Sequence, residues 1–196
     1  MAHHLTLLFE THATSVDNEH GIASGWYDAP LSATGEDQAR ALGERRRNDD
    51  LAVVFCSDLA RALRTAEIAF GHRGIPIVRD ARLRECNYGT LTRHPASEID
   101  ARRGEHVTMA FPKGESYREV VERVATWLNE VASAFNDKTV VVVGHRATHY
   151  ALEHLLADVP LAAAVGATWQ WQPGWRYLVP VQRLRSAARS TAVPRK

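Results

Sequence analysis

Four short runs of apolar residues along the chain predict buried β-strands. They are LTLLF (Leu5 to Phe9), LAVVFCS (Leu51 to Ser57), the weaker IPIV (Ile75 to Val78) and TVVVVG (Thr139 to Gly144). Such runs, rich in β-branched side chains, are typical of strands that are covered on both faces. They therefore predict the strands of one buried sheet.

Stretches of helical periodicity separate these runs. The spacing predicts helices from about Thr34 to Arg47, from Asp58 to Phe70 and from about Thr148 to Leu156. A further helix begins at Ser116, whose hydroxyl can cap the helix while Glu119 reaches back to it, as in a capping box. The buried face predicted for that helix consists of Val120, Val121, Val124, Leu128 and Val131.

The alternation of strands and helices predicts an α/β fold, a three-layer α/β/α sandwich around a mostly parallel sheet. The segment from Arg84 to Pro112 lacks clean periodicity, and we interpret it as an excursion or lid rather than a second domain. We expect a single domain over residues 1–180. The basic residues 181–196, rich in small side chains, are then a solvated C-terminal tail.

The composition narrows the classes of protein to consider. A chain of 196 residues can bury a substantial core, and its formal net charge of +1 argues against neutralisation of nucleic-acid phosphates. The apolar runs are too short to cross a bilayer, and the first ten residues lack the features of a signal peptide. Cys56 and Cys86 form no C-x-x-C pattern, which favours a reduced, cytoplasmic compartment. We expect neither a nucleic-acid nor a membrane partner.

Two of the predicted strands lead directly to a histidine. His12 follows LTLLFET and His145 follows TVVVVG, and ligands of open α/β sheets bind beyond the carboxyl ends of the strands. Arg61 falls in the first turn of a predicted helix, where an anion would offset its unfavourable position, and Glu85 follows the weaker strand. A nucleophilic histidine, cations and a carboxylic acid at one edge suit phosphoryl transfer.

Plainer interpretations exist for each of these residues. The chain has ten histidines, so a histidine at a strand end is unremarkable by itself. Taken alone, Arg61 is an ordinary solvated helix residue and Glu85 a loop carboxylate. A cluster of three tryptophans is expected to belong to the core and the sheet edge rather than to a ligand cage; its members are Trp169, Trp171 and Trp175.

The sequence resembles the histidine phosphatase superfamily, which has a phosphoglycerate mutase-like fold. The resemblance extends from Leu5 to Leu156 and rests on six segments that occur in the family's order. They are THATS (Thr11 to Ser15) with Asn18, DAPLS (Asp28 to Ser32) with Gly35, SDLARALRTAE (Ser57 to Glu67), LRECNYGTL (Leu83 to Leu91), PKGESYREVVERV (Pro112 to Val124) and VVVVGHRA (Val140 to Ala147).

The resemblance implies a role for each candidate residue. His12 would be the nucleophile that becomes phosphohistidine, and Glu85 would be the proton donor. His145 and Arg61 would bind and neutralise the transferring phosphoryl group, and Asn18 would donate a hydrogen bond to it. The family needs no metal ion, so the resemblance implies neither a metal site nor a cofactor.

The first motif departs from the family pattern. The family has Arg-His-Gly-Glu, whereas this chain has Thr11, His12, Ala13 and Thr14. The Thr11 hydroxyl can bind a phosphate oxygen but supplies no charge, and a charge-assisted hydrogen bond is about twice as strong as a neutral one. We hypothesise that Arg146 or Arg64 restores part of the positive charge. The alternative is that Arg146 points to solvent.

The shortness of the chain favours a metal-independent phosphatase over a mutase, because mutases of the family usually carry longer insertions around the site. The expected ligand is a small phosphorylated metabolite, hydrolysed by water after its alcohol has left. Charged residues between Arg93 and Phe111 could favour a second anionic group, while Trp175 or Tyr177 could instead stack on a ring.

Three alternatives to hydrolysis remain open at this point. They are phosphoglycerate mutase-type transfer, a catalytically weak or inactive binding or regulatory protein, and non-phosphatase chemistry on the same fold. A homodimer is compatible with the resemblance, although the sequence identifies no interface.

Overall fold

The computed structural model of the protein describes residues 4–180. In chain order the elements are β1 (His4–Thr11), α1 (Val16–Glu19), α2 (Ala33–Arg45), β2 (Val53–Cys56), α3 (Ala60–Phe70), β3 (Ile77–Arg79), α4 (Ala96–Arg102), α5 (Tyr117–Ala134), β4 (Thr139–Gly144), α6 (Arg146–Leu156), α7 (Leu161–Gly166) and β5 (Trp175–Pro180). Short 3₁₀ turns cover Gly71–Arg73, Ala81–Leu83, Gly89–Leu91 and Arg103–His106.

The strands form one sheet in the order β3-β2-β4-β1-β5. The pairs β2–β3, β2–β4 and β1–β4 are parallel, and β5 pairs antiparallel with β1. Thr11 at the end of β1 lies opposite Gly144 at the end of β4. The next residues, His12 and His145, therefore leave neighbouring strands at the same level.

Helices cover both faces of this sheet, because the central strands are apolar on both sides. On one face, α5, α6 and α7 pack over a core that includes Leu5, Leu7, Phe9, Val140 and Val142. On the other face, α2 and α3 pack over Leu8, Val54, Cys56, Val141 and Val143. The predicted three-layer, mostly parallel α/β architecture is confirmed.

The four predicted strands are all present, but the fifth was not predicted. Strand β5 lies at the edge of the sheet, where only β1 is its neighbour, and Arg176 and Leu178 on it are exposed. An edge strand alternates between buried and exposed positions, so it lacks the unbroken apolar run that marks β1 and β4.

The predicted helices are also present, with one shift that affects the site. Helix α6 begins at Arg146 rather than Thr148, because His145 occupies its N-cap position. The capping box of α5 is confirmed: the Ser116 hydroxyl accepts from the Glu119 amide, and the Glu119 carboxylate accepts from the Ser116 amide.

Between β3 and α5 the chain makes the excursion that the sequence suggested. It contains α4 and three 3₁₀ turns, and it is tied to the residues after α1 by a bridge between Ile22 and Pro95. The predicted tail, residues 181–196, lies outside the described residues. None of the helices within residues 4–180 is long and apolar enough to cross a lipid bilayer.

Candidate active site

A cleft of about 260 Å³ lies at the carboxyl end of β1. Its lining includes predicted site residues from several parts of the chain, namely Thr11, His12, Asn18, Arg61, Glu85 and Arg146. The remaining predicted residue, His145, adjoins the cleft, because its ring centroid is 4.9 Å from that of His12. The fold thus brings the whole predicted set together.

The imidazole of His12 is held in one tautomer. Its Nδ1 lies 2.7 Å from the carbonyl oxygen of Ala13, which can only accept, so Nδ1 carries the proton and Nε2 has a free lone pair. Burial, reinforced by the nearby Arg61 charge and opposed by the Ala13 carbonyl, lowers the pKa of His12 to about 3. His12 is therefore neutral and nucleophilic at physiological pH.

The backbone around His12 is fixed at the same time. The His12 amide donates to the carbonyl of Gly144, 2.9 Å away, which extends the pairing of β1 and β4 by one residue. The Ala13 amide donates to the hydroxyl of Thr65 on α3 at 3.0 Å. His12 is thus anchored both to the sheet and to the helix that carries Arg61.

His145 is fully buried beside His12. Both of its ring nitrogens lack a hydrogen-bond partner among residues 4–180. Burial lowers the pKa of His145 well below its usual value, and the charge of Arg61 acts in the same direction. A buried imidazole with free nitrogens is costly unless a ligand supplies the partner, so His145 is well suited to an anion in the cleft.

Arg61 comes from the first turn of α3, as predicted, but its side chain is buried rather than solvated. The guanidinium donates to the carbonyls of Gly25 and Tyr27 at 2.8 and 3.0 Å. Burial lowers the pKa of Arg61, while the charge of Glu85 acts to raise it. Because a guanidinium carries five N–H groups, donors remain for an anion.

Glu85 is placed by contacts on both its backbone and its side chain. Its carbonyl accepts from the side chains of Trp26 and Arg123, at 2.7 and 3.0 Å. Its Oε1 accepts from the amides of Cys86 and Ala147, at 2.8 and 3.2 Å. Ala147 lies in the first turn of α6, so the Glu85 carboxylate is fixed next to the helix that follows His145.

Asn18 and Thr11 supply polar, uncharged groups. Asn18 is in α1, and its Oδ1 accepts from the amide of Ser15 at 3.1 Å, which leaves the NH₂ group as the free donor of the side chain. Thr11 is the last residue of β1 and lines the cleft with its hydroxyl-bearing side chain. Neither residue brings a positive charge.

Arg146 faces the cleft from the first position of α6. Its Nε donates to the hydroxyl of Tyr150 at 3.2 Å, and its Nη1 forms an ion pair with Asp100 at 3.2 Å. The guanidinium also lies 5.5 Å from the ring centroid of Trp169. The sequence-based alternative, in which Arg146 points to solvent, is therefore wrong.

Arg64 does not share this position. Its side chain is 53 % exposed and pairs with Glu36 and Glu67 on the outer surface of α2 and α3. Arg64 is only one turn of helix from Arg61, but its side chain turns outward to these two carboxylates, whereas the Arg61 side chain is buried. The hypothesis that Arg64 supplies charge to the cleft is wrong.

The aromatic residues are arranged differently from the sequence-based interpretation. Trp175 packs against the core at the sheet edge, as expected, and Tyr177 is buried with its hydroxyl bonded to Glu153 at 2.6 Å. Neither can stack on a ligand in the cleft. Trp169 and Trp171 line the cleft instead, and Trp171 is 63 % exposed.

Sequence reasoning also missed what the excursion contributes to the cleft. The lining side chains of α4 are Ala96, Ile99 and Asp100, while the predicted Arg and His residues of this segment face elsewhere. Tyr88 is a further lining residue that was not singled out. No pattern in the sequence marks these positions, because α4 is short and its register depends on tertiary packing. Within residues 4–180, no group of three or more His, Cys, Asp and Glu side chains could hold a metal ion.

Comparison with protein families gives a match over residues 7–171 to the model of the histidine phosphatase superfamily (branch 1). A protein of Bacillus subtilis named uncharacterized phosphatase PhoE is 35 % identical over 128 residues, which is 65 % of either chain. A protein of Klebsiella pneumoniae named probable phosphoglycerate mutase GpmB is 37 % identical over 121 residues, 58 % of this chain and 56 % of that protein. The chain thus covers less than two thirds of the length of either relative.

Solved structures match over more of the chain. Bacillus stearothermophilus YhfR superposes with a TM-score of 0.75 and 29 % identity, covering 86 % of this chain and 88 % of that one. A mycobacterial glucosyl-3-phosphoglycerate phosphatase, solved with VO3, gives a TM-score of 0.74 and 28 % identity over 85 % and 88 % of the two chains.

Proposed function

The chain belongs to the histidine phosphatase superfamily, and from that premise we propose that it is a metal-independent phosphatase. It hydrolyses a small phosphomonoester through a phosphohistidine intermediate on His12. The observation that carries the proposal is the free Nε2 of a neutral His12 in a cleft that also contains Arg61 and Glu85. A nucleophile, a cation and an acid are the groups that this reaction requires.

In the first step the Nε2 lone pair of His12 attacks phosphorus, and the bond between phosphorus and the alcohol oxygen breaks. Protonated Glu85 gives its proton to that oxygen as it leaves. The imidazole gains positive charge because it keeps its Nδ1 proton, and the Ala13 carbonyl at 2.7 Å stabilises that charge.

In the second step a water molecule attacks the phosphorus of phosphohistidine. The Glu85 carboxylate takes a proton from the water, the bond from phosphorus to Nε2 breaks, and inorganic phosphate is released. His12 returns to its neutral form and Glu85 to its protonated form, so protons and charge balance over the cycle.

The charged oxygens of the phosphoryl group need partners in both steps. Arg61 has free N–H groups beyond the two that hold it to Gly25 and Tyr27. Burial keeps His145 neutral, and an incoming dianion favours its protonated form. We assign the Asn18 NH₂ group and the Thr11 hydroxyl to neutral hydrogen bonds with the same oxygens.

The names of the relatives support phosphatase or mutase chemistry, since PhoE and the mycobacterial protein are called phosphatases and GpmB a mutase. A mutase must retain the dephosphorylated molecule in the cleft and transfer the phosphoryl group from the histidine back to it. The second candidate is therefore transfer within a phosphoglycerate, which leaves no inorganic phosphate as product.

A turnover screen tests the proposal. Purified protein is incubated with a panel of small phosphomonoesters, and inorganic phosphate is measured in parallel with isomerised ester. We expect phosphate release that falls on the order of a thousandfold or more in His12→Ala and is unchanged in His72→Ala, a substitution at an exposed histidine outside the cleft. Isomerisation without phosphate release would favour the mutase. Tight binding without turnover would favour a binding protein.

A further inference from the structure

The positive charge that faces the cleft is small for the ligand we propose. A phosphomonoester carries about 1.5 to 2 negative charges at neutral pH. His12 and His145 are both neutral before an anion binds, because burial lowers the pKa of each. Until His145 takes up a proton, Arg61 alone therefore leaves about 0.5 to 1 negative charge without a partner.

Among the described residues, the guanidinium groups that line the cleft are those of Arg61 and Arg146. Arg146 is held from three directions, by Tyr150 on its own helix, by Asp100 on α4 and by the face of Trp169. The contacts with Tyr150 and Asp100 occupy its Nε and Nη1, so further N–H groups remain to donate.

Asp100 does not cancel the charge of Arg146. The same Asp100 oxygen that lies 3.2 Å from Arg146 lies 3.4 Å from Nη1 of Arg103. The Tyr150 hydroxyl likewise contacts both guanidinium groups, each at 3.2 Å. Two cations thus share one carboxylate and one neutral hydroxyl, which leaves a net positive charge. Arg103 is 12 % exposed and also bonded to the Ala167 carbonyl, whereas Arg146 faces the cleft.

Arg146 acts on the same groups as Arg61. Burial and the Glu85 charge raise the pKa of Tyr88 well above its usual value, and the Arg146 charge opposes them. Tyr88 and Glu85 in turn lie close enough to act on Arg61. Tyr88 is therefore a neighbour of both guanidinium groups, and because Glu85 lines the same cleft as both of them, an anion bound there would interact with both.

We propose that Arg146 is a second phosphoryl-binding cation of the site, which supplies the charge that Thr11 does not. The two guanidinium groups then approach the phosphoryl oxygens from different helices, Arg61 from α3 and Arg146 from α6. Because Asp100 and Trp169 help to hold Arg146, this cation depends on the excursion and on the loop before β5.

Binding of inorganic phosphate tests the inference without turnover. Isothermal titration calorimetry on the full chain is expected to show about tenfold weaker binding for Arg146→Ala than for wild type. Arg146→Lys, which keeps the charge but loses the planar fork, is expected to lie between them. Arg64→Ala is the matched control and should bind like wild type, because Arg64 lies outside the cleft.

A charge placed at Thr11 provides a second, independent readout. We expect Thr11→Arg to recover at least threefold in phosphate affinity when it is added to Arg146→Ala, because Thr11 lines the same cleft. The gain from Thr11→Arg should be larger in Arg146→Ala than in wild type, whereas a merely structural role for Arg146 predicts the same gain in both backgrounds. Melting temperatures of all variants show whether the fold is intact, and Arg146→Lys remains informative if Arg146→Ala is unstable.

The inference rests on the proposed function, but it can fail separately. If wild type binds phosphate but turns over no ester, the proposed function fails. The phosphate affinities of wild type, Arg146→Ala and Arg146→Lys still decide the inference in that case. Unchanged phosphate affinity in folded Arg146→Ala and Arg146→Lys would overturn the inference. Where turnover is present, kcat/KM of Arg146→Ala can be compared for 3-phosphoglycerate and glycerol 3-phosphate. A fall for 3-phosphoglycerate alone would mean that Arg146 binds the leaving group, and this would also overturn the inference.

Discussion

Two histidines with ring centroids 4.9 Å apart are both kept neutral by burial, and their different hydrogen-bond partners suit them to the two different roles that we propose. His12 has its Nδ1 proton fixed by Ala13 and presents a lone pair. His145 has no partner for either nitrogen within the described residues and is available to the ligand. The same burial that costs stability therefore prepares both imidazoles for a dianion.

The neutral state of His12 has a consequence for stability as a function of pH. In the unfolded chain this histidine titrates near its ordinary value of 6.5, whereas in the folded protein its pKa is about 3. Between these values only the unfolded chain binds the proton, so the free energy of unfolding falls as the pH drops below 6.5. One such group contributes up to about 1.4 kcal/mol per pH unit.

We therefore expect His12→Gln to lose less stability than wild type on acidification. Urea unfolding between about pH 7 and about pH 4.5 measures the difference. His72→Gln is the control, because His72 is exposed and should leave the slope unchanged. An identical slope in His12→Gln and wild type would mean that His12 titrates normally in the folded protein.

The role of Glu85 can be tested by measuring how the effect of Glu85→Gln on kcat/KM depends on the leaving group of the ester. Glu85→Gln retains the oxygen that accepts from Cys86 and Ala147, so the side chain should keep its place. We expect the substitution to lower kcat/KM for alkyl phosphates by about 10²- to 10⁴-fold. With p-nitrophenyl phosphate as substrate, kcat/KM of the same variant should fall far less, because nitrophenolate leaves without a proton.

Steady-state kinetics on the two ester classes provides the comparison, with Glu130→Gln, an exposed carboxylate paired with Arg82, as the control. Equal losses for alkyl and nitrophenyl esters would contradict the assignment of Glu85 as the acid.

At the scale of elements, the site depends on a loop that holds a buried cation. The carbonyls of Gly25 and Tyr27 fix the Arg61 guanidinium, and Gly25 has a φ of +52°. A Cβ at Gly25 would lie 3.1 Å from the ring of Tyr88. The conformation of this loop therefore sets the position of the charge on α3.

We expect Gly25→Ala to lower both stability and activity, because the strained loop must shift and take Arg61 with it. Gly74→Ala is the matched control: its φ is +67°, but an added Cβ meets no atom within 4 Å. The left-handed conformation costs an L-residue about 1–2 kcal/mol in both variants, and the contact with Tyr88 adds to the loss of stability in Gly25→Ala alone. Urea unfolding and kcat/KM together test this, and equal activity losses would show that the loop does not position Arg61.

The elements that sequence reasoning recovered are those with a local signal. The capping box at Ser116 and Glu119 marks the start of α5, and the apolar run from Thr139 to Gly144 marks β4. Helix α6 was placed two residues too late, because a histidine at the N-cap gives no familiar capping pattern. Helix α4 and strand β5 depend on contacts with distant residues and carried no such signal.

For the whole molecule, the alternation of apolar runs and amphipathic stretches predicts the three layers, since each strand must be covered on both faces. The site follows from the topology, because Thr11 and Gly144 are paired and place His12 and His145 side by side. The network around Arg146 could not be predicted in the same way. It joins Asp100, Tyr150 and Trp169, which are remote in sequence and meet only in the folded chain.

The central claim is that His12 carries the phosphoryl group between the two chemical steps. Glu85→Gln incubated with p-nitrophenyl phosphate tests it most directly, because the leaving group needs no acid while hydrolysis of the intermediate lacks its base. After quenching at alkaline pH, mass spectrometry should find one phosphoryl group on the peptide that contains His12, with a matching burst of nitrophenolate. A phosphoryl group on His145 instead, or steady turnover in His12→Ala, would contradict the account.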